Sequence, residues 1–301
     1  MNIFLTGSTG FIGRVTLRRL LKAGYDVSTP VRSATADSTG TKIVHAVLGS
    51  GDFVNTVLSQ SEKCDAIIHI AACIDYDQSN TELIKVNCLG MQQLLSLAKV
   101  WGTKRFVYLS GASVIGIPVS HPITEEHPAL PRTVYHASKL FGEHLLSQAT
   151  GVDMAGASLR VTAPIGFGMP RHRVLSTFVR RALENRPLVL MGRGTRRQNY
   201  VDVRDVGDGV IKALECRACG VFNIGGVGTV SNIELAEECI RVTRSDSKIE
   251  FAGTEDPGDG ELWDVSIDAA GKAFGYRPEH DLASSIESVM GQDGSRRDLH
   301  G

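Results

Sequence analysis

The chain has 301 residues, with 32 Lys and Arg against 33 Asp and Glu, and its net charge of −1 argues against nucleic acid or an anionic membrane as a partner. Apolar residues make up 42% of the sequence and charged residues 22%, as in globular proteins with a large core. The longest apolar run, residues 66–72, is too short to span a bilayer, and no basic and then apolar leader precedes the first predicted strand, so we expect a cytoplasmic protein.

The first predicted strand, residues 2–6, leads into a glycine-rich turn and an amphipathic helix over residues 11–23. In such a turn Gly7 permits the tight bend, Gly10 lets the backbone approach a pyrophosphate, and Gly13 lets the helix pack close to the strand. The helix N-terminus offers unpaired N–H groups to phosphate oxygens. A glycine-rich turn without a ligand is the alternative, but the flanking strand and helix favour a dinucleotide site. The predicted cofactor-binding residues here are Gly7, Ser8, Thr9, Gly10, Phe11, Ile12 and Gly13.

Apolar runs and helical periods alternate through the first half of the chain. Further strands are predicted at 26–31, 42–48, 65–71, 104–110 and 154–160, and further helices at 53–60, 80–100 and 134–149. Pro30 would remove a hydrogen-bond donor from the second strand, so we place it near that strand's end. The alternation predicts right-handed crossovers and an α/β fold, a Rossmann-like doubly wound parallel sheet with a small C-terminal substrate-binding lobe.

The regular alternation weakens after Arg160. Residues 164–200 are rich in Gly, Pro and Arg, which indicates loops and a lobe over the carboxyl edge of the sheet, where α/β proteins bind ligands. The next predicted elements are a helix over 205–215, a strand over 220–224 and a helix over 231–243. The predicted domains are a dinucleotide-binding domain over 1–160, to which segments near 196–225 return, a mainly substrate-binding lobe over 161–290, and a disordered tail over 291–301.

Six cysteines are scattered without the spacing of a disulfide framework. Cys216 and Cys219 have the spacing of a redox or zinc pair, but no second pair and no cluster of histidines completes a site. We therefore expect reduced thiols and no metal site.

A second pattern opens the helix predicted over 134–149. Tyr135 and Lys139 are four residues apart, so their side chains meet on one helix face. An ammonium beside a phenol favours the phenolate and lowers the pKa of the tyrosine toward neutrality, and an oxidised nicotinamide acts in the same direction. Such a tyrosine can take a proton from an alcohol, or give one to a ketone, as a hydride moves. The alternative is structural, a partly buried Tyr beside a surface Lys.

The turn Thr6-Gly-x-x-Gly-x-x-Gly13 and the pair Tyr135-x-x-x-Lys139 together resemble the extended short-chain dehydrogenase/reductase family. The resemblance covers almost the whole chain and follows the family's order of motifs. Further matching segments are 68–72, 86–90, 139–143, 159–160, 192–194, 200–206, 221–225 and 275–278.

This resemblance implies roles for individual residues. Tyr135 would be the general acid/base and Lys139 the group that tunes its pKa, and both would also contact the cofactor. Ala71 and Ala72 would border the cofactor, and Asn87 would support its pocket. Family members are often dimers, and the apolar faces of the helices over 80–100 and 134–149 permit a homodimer.

The sequence departs from the family at the end of the fifth strand. The family places a catalytic Ser or Thr five residues before a Gly, and counting back from Gly116 that position is Gly111. The hydrogen bond to the substrate oxygen then needs another donor. Ser113 would face the same side in extended backbone, whereas Ser110 would face away unless the strand bulges. We predict Ser113 as the catalytic hydroxyl, with a turn-capping role as the alternative.

A second departure concerns the substrate. Nucleotide-sugar epimerases of this family typically carry an Asn three residues after the Arg that matches Arg160, and here Ala163 stands in its place. Arg196 and Arg197 can still clamp a diphosphate, because guanidinium groups match phosphate oxygens bidentately. Arg171 and Arg173 are further, weaker candidates. A solvated pair of loop arginines is the alternative interpretation.

The residues after the second strand bear on the choice of cofactor. NAD enzymes usually present an Asp or Glu there for the ribose hydroxyls, whereas an Arg suits the 2′-phosphate of NADP. The chain reads Val31-Arg32-Ser33, with no acid until Asp37. Arg32 and Ser33 therefore favour NADP(H), while NAD(H) stays open because an Arg packed on adenine is compatible with either cofactor.

We expect an enzyme that moves a hydride between a nicotinamide and a secondary alcohol or ketone of a small-molecule substrate. Arg32 favours an NADPH-dependent reductase. The arginine pair instead favours a nucleotide-linked substrate, so an NAD-dependent nucleotide-sugar epimerase or dehydratase is the first alternative. A catalytically weak NAD(P)-binding sensor is the second, and it rests on Gly111.

Overall fold

The computed structural model describes residues 1–32, 40–77 and 79–294, so the predicted cofactor residue Ser33 and residues 295–301 of the predicted tail lie outside the described residues. The elements of the first half are β1 (Asn2–Thr6), α1 (Phe11–Lys22), β2 (Asp26–Val31), β3 (Lys42–His45), α2 (Phe53–Gln60), β4 (Ala66–His69), α3 (Thr81–Leu83), a π-helical segment (Ile84–Leu89), α4 (Gly90–Trp101), β5 (Arg105–Gly111), a 3₁₀ turn (Ala112–Ile115), α5 (Val134–Ala149) and β6 (Ala155–Val161).

These elements lie within a few residues of their predicted positions. Pro30 is the penultimate residue of β2, as its missing N–H required. Strand β3 ends at His45, earlier than predicted, because the N–H of Ala46 turns back to the carbonyl of Val44 (3.0 Å). The helix predicted over 80–100 contains the π-helical segment, a feature that often marks functional positions and that carries Asn87 here.

Within the described residues, seven parallel strands form one sheet in the order β11-β6-β5-β4-β1-β2-β3. The prediction of a doubly wound parallel sheet is confirmed. The chain leaves β1 toward β2 on one side and returns to β4 on the other, so the direction of winding reverses between β1 and β4. Ligands of such sheets bind at this switch point, beyond the carboxyl ends of the strands.

Alternation along the strands divides the core into two layers. Ile3 and Leu5 face helices α1 and α7, whereas Phe4 faces helices α2 and α4. Trp101 of α4 packs edge-on against Phe4, with ring centroids 5.4 Å apart. The two layers hold the central strands rigidly, which fixes the loops at their carboxyl ends.

The second half of the chain builds the lobe and returns to the sheet. Its elements are β7 (Ala163–Ile165), α6 (Val174–Leu183), β8 (Leu188–Leu190), β9 (Arg197–Gln198), β10 (Tyr200–Asp202), α7 (Val203–Glu215), β11 (Gly220–Ile224), β12 (Val230–Ser231), α8 (Asn232–Thr243), β13 (Ile249–Phe251), α9 (Asp268–Phe274) and α10 (Leu282–Gly294). Strand β11 joins the main sheet beside β6, and α7 is tied to α1 by Arg19 and Asp208 (2.5 Å). Helices α6, α8 and α10 surround a separate apolar cluster in the lobe.

Two further observations concern the predictions. Helix α10 continues through Gly294, so residues 291–294 are helical where the sequence predicted the start of a disordered tail. None of the described helices is both long enough and apolar enough to cross a membrane.

Candidate active site

The glycine-rich turn packs β1, α1 and the end of β4 closely together. Gly7 has a φ of +77°, and a Cβ atom on it would lie 2.6 Å from the backbone nitrogen of Ala71. A Cβ atom on Gly13 would lie 1.8 Å from the carbonyl oxygen of Gly7. Side chains at these positions would therefore push the turn away from both neighbours.

Helix α1 begins without a side chain over its N-terminus. Gly10 is the N-cap residue and has no side chain to cap the helix. The first N–H groups of the helix therefore point toward the carboxyl edge of the sheet without a side-chain acceptor. The side chain of Ser8 does not cap the helix, since its buried hydroxyl lies 2.6 Å from the hydroxyl of Thr29 on β2. An uncapped helix N-terminus at the switch point fits the pyrophosphate of a dinucleotide.

The end of β4 is fixed by hydrogen bonds to β1. The Thr6 hydroxyl lies 2.7 Å from Nδ1 of His69 and accepts the N–H of Ala71 at 3.2 Å. His69 stacks on Tyr108 at 5.4 Å, and complete burial lowers the pKa of His69 to about 3, so its ring is neutral. Ala71 and the half-buried Ala72 therefore follow a rigid support beside the glycine-rich turn.

Asn87 connects the segment after β4 to the first turn of α5. Its side-chain oxygen accepts the N–H of Cys73 (2.8 Å), and its amide donates to the Cys73 carbonyl (3.0 Å) and to the Ser138 hydroxyl (2.9 Å). Ser138 in turn donates to the carbonyl of Tyr135 at 2.7 Å. Asn87 thus sets the position of Tyr135 relative to the cofactor side of the sheet.

Lys139 is buried, with 5% of its surface exposed, one turn after Tyr135. Its Nζ lies 4.7 Å from the centroid of the Tyr108 ring, and its ammonium makes no hydrogen bond or ion pair to any other described residue. Burial lowers the pKa of Lys139 to about 8, against the opposing effect of Glu143. The ammonium is held in an apolar pocket where it acts strongly on any nearby charge.

The prediction that Lys139 lowers the pKa of Tyr135 is wrong for the protein chain by itself. Burial raises the pKa of Tyr135 to about 12, the phenol of Tyr76 acts in the same direction, and the cation that lowers it is Arg173. The reason is that removing a phenolate from water costs more than the neighbouring charges recover. The Tyr76 ring stands edge-on to Tyr135, with centroids 6.1 Å apart.

The two serines near Gly111 have different surroundings. The Ser110 hydroxyl donates to Glu143 at 2.5 Å and so faces α5, as the strand alternation predicted. Ser113 lies in a 3₁₀ turn rather than in extended backbone, but a Cβ atom on Gly111 would lie 3.4 Å from its hydroxyl oxygen. The turn therefore brings the Ser113 hydroxyl next to the place that a side chain at 111 would occupy.

Sequence reasoning gave no role to Glu143, which organises the buried polar groups behind the site. Its carboxylate accepts from the Arg160 guanidinium, with a shortest distance of 2.8 Å, and both side chains are about 95% buried, being 5% and 6% exposed. Arg160 also donates to the carbonyl of Glu125 at 3.1 Å. The signal in the sequence was the spacing of four between Lys139 and Glu143, which places both on one helix face.

The structure does not bring the predicted substrate arginines together. The Arg197 guanidinium donates to the hydroxyl and the carbonyl of Thr229 (3.0 and 2.9 Å) and pairs with Glu234 (3.0 Å). Arg196, the adjacent residue, pairs instead with Glu261 at 3.5 Å. Neighbouring residues of an extended segment face opposite sides, so a clamp made by both on one diphosphate is not formed.

Arg32 is exposed directly after β2, at the position predicted to contact the adenosine ribose. Burial raises the pKa of the Cys73 thiol, and the charge of Arg32 acts in the opposite direction, so Arg32 lies near the segment after β4. Among the described residues, no group of three or more His, Cys, Asp or Glu could hold a metal ion.

An uncapped glycine-rich turn at the switch point and a Tyr–Lys pair held beside it by Asn87 define an enzyme of the short-chain dehydrogenase/reductase type, in the extended form that carries a lobe. The sequence model of the NAD dependent epimerase/dehydratase family matches residues 3–225. The chain belongs to this family.

Similar proteins of known name are enzymes of nucleotide-sugar metabolism. A UDP-glucose 4-epimerase of Lactobacillus helveticus is 28% identical over 316 residues, covering 95% of this chain and 94% of that protein. A UDP-glucuronic acid decarboxylase of Arabidopsis thaliana is 27% identical over 305 residues, covering 96% of this chain and 68% of the plant protein.

Solved structures share the fold. The crystal structure of UDP-glucose 4-epimerase from Thermotoga maritima with UDP-glucose has a TM-score of 0.89 at 21% identity, covering 98% of this chain and 99% of that one. The structure of UDP-glucuronic acid 4-epimerase from Bacillus cereus with UDP-glucuronic acid and NAD has a TM-score of 0.85 at 22% identity, covering 98% of this chain and all of that one, 100%.

Proposed function

We propose that the protein catalyses the reversible oxidation of a secondary hydroxyl of a nucleotide sugar, with NAD kept on the enzyme, as in epimerases and decarboxylases. The observation that carries the proposal is the buried Lys139 one turn behind Tyr135, on a helix that Asn87 fastens to the cofactor side of the sheet. The family match and the names of the similar proteins support the nucleotide-sugar class.

Tyr135, Lys139 and Ser113 each have a separate role in the proposed proton transfer. When bound, the nicotinamide accepts and returns a hydride and carries a positive charge in its oxidised form. Tyr135 takes the proton of the substrate hydroxyl and later returns it. Burial raises the pKa of Tyr135 in the chain alone, so the phenolate depends on the positive charge of the oxidised cofactor, with the buried Lys139 ammonium one helical turn away as the chain's own contribution. Ser113 donates a hydrogen bond to the reacting substrate oxygen.

Arg196 is the arginine we assign to the diphosphate of the substrate. It is 36% exposed, and its partner Glu261 can be exchanged for phosphate oxygens, whereas Arg197 is committed to Thr229 and Glu234. A guanidinium matches phosphate geometry whether it binds one phosphate or bridges two.

The second candidate is an NADPH-dependent reductase that releases its cofactor in each turnover. Arg32 favours it, because a cation at the end of β2 suits a 2′-phosphate. The structures of similar enzymes that hold NAD support the first candidate instead.

The same helices carry a proposed homodimer. Ile84, Leu89, Val100 and Phe141 are apolar side chains between 38% and 63% exposed along the π-helical segment, α4 and α5. Pairing of two such faces would cover them. Light scattering should give twice the chain's mass, and Phe141→Glu should return it to the monomer mass.

The test begins with the purified full-length protein. Acid release followed by enzymatic cycling assays should find NAD rather than NADP, and incubation with UDP-glucose or UDP-glucuronic acid should yield an isomer or a decarboxylated sugar by NMR. Tyr135→Phe should abolish turnover and keep the bound cofactor, whereas Tyr25→Phe, the same change at a tyrosine that bonds Glu215 instead, should leave turnover intact.

Three other outcomes would redirect the assignment. Turnover of ketones with NADPH and no bound NAD would establish the reductase. Tight cofactor binding without turnover across both substrate classes would establish a sensor. Activity unchanged in Tyr135→Phe would refute the proposed acid/base.

A further inference from the structure

Glu261 lies between two arginines that come from different parts of the chain. Its carboxylate is 3.5 Å from the Arg196 guanidinium and 4.0 Å from that of Arg132. Glu261 is only 17% exposed, whereas Arg196 and Arg132 are 36% and 61% exposed. Two exposed cations thus share one largely buried anion.

The aliphatic part of each arginine side chain packs against a glycine. Arg132 directly precedes the N-cap residue of α5, and its Cγ would lie 3.6 Å from a Cβ atom on Gly116, at the end of the turn that carries Ser113. The Arg196 side chain packs over Gly258, where a Cβ atom would lie 2.8 Å from its Cδ. Arg132 therefore lies in the loop that leads into α5, and Arg196 lies in the lobe.

Among Arg132, Arg196 and Glu261 the side-chain charges sum to +1, and Asp256 and Asp259 flank Gly258 beside them. Glu261 supplies one negative charge for two guanidinium groups, and one of its oxygens also accepts from the Trp263 indole at 3.2 Å. With the Gln198 amide oriented to accept, Arg196 also donates to its side-chain oxygen (2.9 and 3.0 Å), a neutral partner, whereas the neighbouring Arg197 is held by Thr229 and the Glu234 carboxylate on the opposite side. An anion that approaches the first group gains two partly exposed guanidinium forks.

We propose that Arg132 and Arg196 form a binding site for the diphosphate of the substrate and that Glu261 competes with that diphosphate for both arginines. Arg132 and Glu261 then become specificity-determining residues, since an anion has to displace Glu261 from both arginines and a diphosphate can engage both guanidinium groups at once. The inference rests on the proposed function and names the residues that recognise the charged part of its substrate.

Glu261→Gln tests the competition without disturbing the fold. Glutamine keeps the volume and the acceptor for Trp263, and the backbone carbonyl of residue 261 still accepts the N–H of Arg197 (2.9 Å). Removing one charge this close to two guanidinium groups should tighten the binding of inorganic pyrophosphate about three- to tenfold. The exposed Arg132→Gln, which has little to disturb in the core, should weaken it by a similar factor.

The matched control is Glu234→Gln, which removes the carboxylate that pairs with Arg197 but keeps the capping box of α8. It should leave pyrophosphate affinity unchanged. Calorimetric titration of pyrophosphate into the full-length protein, at one fixed ionic strength, measures all four proteins without requiring turnover.

The results separate this inference from the proposed function. Equal pyrophosphate affinities for wild type and Glu261→Gln, or no loss in Arg132→Gln, would overturn the inference even if nucleotide sugars are turned over. The expected shifts, found together with no turnover of any nucleotide sugar, would uphold the anion site and reject the function.

Discussion

Replacing Lys139 by Met should stabilise the protein while it abolishes turnover. Lys139 is buried, its ammonium lies 4.7 Å over the Tyr108 ring, and burial lowers its pKa from 10.5 to about 8. Methionine keeps the length and the apolar stem and removes the charge.

The size of the effect follows from the pKa. A fall of about 2.5 in pKa corresponds to about 3 kcal/mol, since each pH unit is worth ~1.4 kcal/mol. The unfolded chain binds the proton more tightly, so this cost is fully present below pH 8 and disappears as the pH rises to 10.5. The variant also loses the contact between the ammonium and the Tyr108 ring, which lowers its free energy of unfolding by about 1 kcal/mol. Lys139→Met should therefore gain about 2 kcal/mol at pH 7, or roughly 4 °C in Tm.

The assay is thermal unfolding of wild type and variant at pH 7 and at pH 10. The stability advantage of the variant should shrink at pH 10, because the wild-type lysine is then neutral in the folded state. Lys99→Met, at an exposed position of α4, should show no such dependence. A variant less stable than wild type at pH 7, or a difference equal at both pH values, would refute the reasoning.

Three further changes probe other contacts. Gly13→Ala should prevent cofactor binding and destabilise the fold, because its Cβ would lie 1.8 Å from the Gly7 carbonyl; normal NADH titration would contradict this. Glu143→Gln should cost about 3–5 kcal/mol in denaturant unfolding, since it leaves the buried Arg160 without an anion, and a loss under 1 kcal/mol would show that the pair contributes little. Ser113→Ala should lower kcat by about 10- to 100-fold with unchanged cofactor affinity, and an unaltered kcat would leave the substrate oxygen without this donor.

The elements of the nucleotide-binding half could be predicted because their signals are local. Alternation in β1 already places Ile3 and Leu5 on one layer and Phe4 on the other, and both layers are apolar. The positions of Gly7 and Gly13 in the sequence sufficed to predict that a side chain would not fit there, and the close backbone contacts of both glycines agree with this. Such features depend on residues that are near one another in the sequence.

The features that escaped prediction depend on distant residues. Adjacent arginines at 196 and 197 look equivalent in the sequence, and only their partners Glu261 and Glu234 separate them. The pKa of Tyr135 follows the balance between burial and neighbouring charges, which spacing within one helix does not reveal. Ser113 faces the position of residue 111 through a 3₁₀ turn that strand periodicity did not predict.

The buried ammonium of Lys139 also weighs against a protein that only senses its cofactor. A sensor needs the glycine-rich turn and Asn87, but it gains nothing from a lysine that makes the fold less stable than methionine would by about 2 kcal/mol at neutral pH. Apolar replacements at such a position are stabilising and easily reached, so the charge is expected only where chemistry uses it. The Ser113 hydroxyl lies next to the place that a side chain at 111 would occupy, whereas the other cation that acts on Tyr135 is the exposed Arg173. We therefore expect replacement of Lys139 to abolish turnover, and we expect the glycine at position 111 to be compatible with turnover.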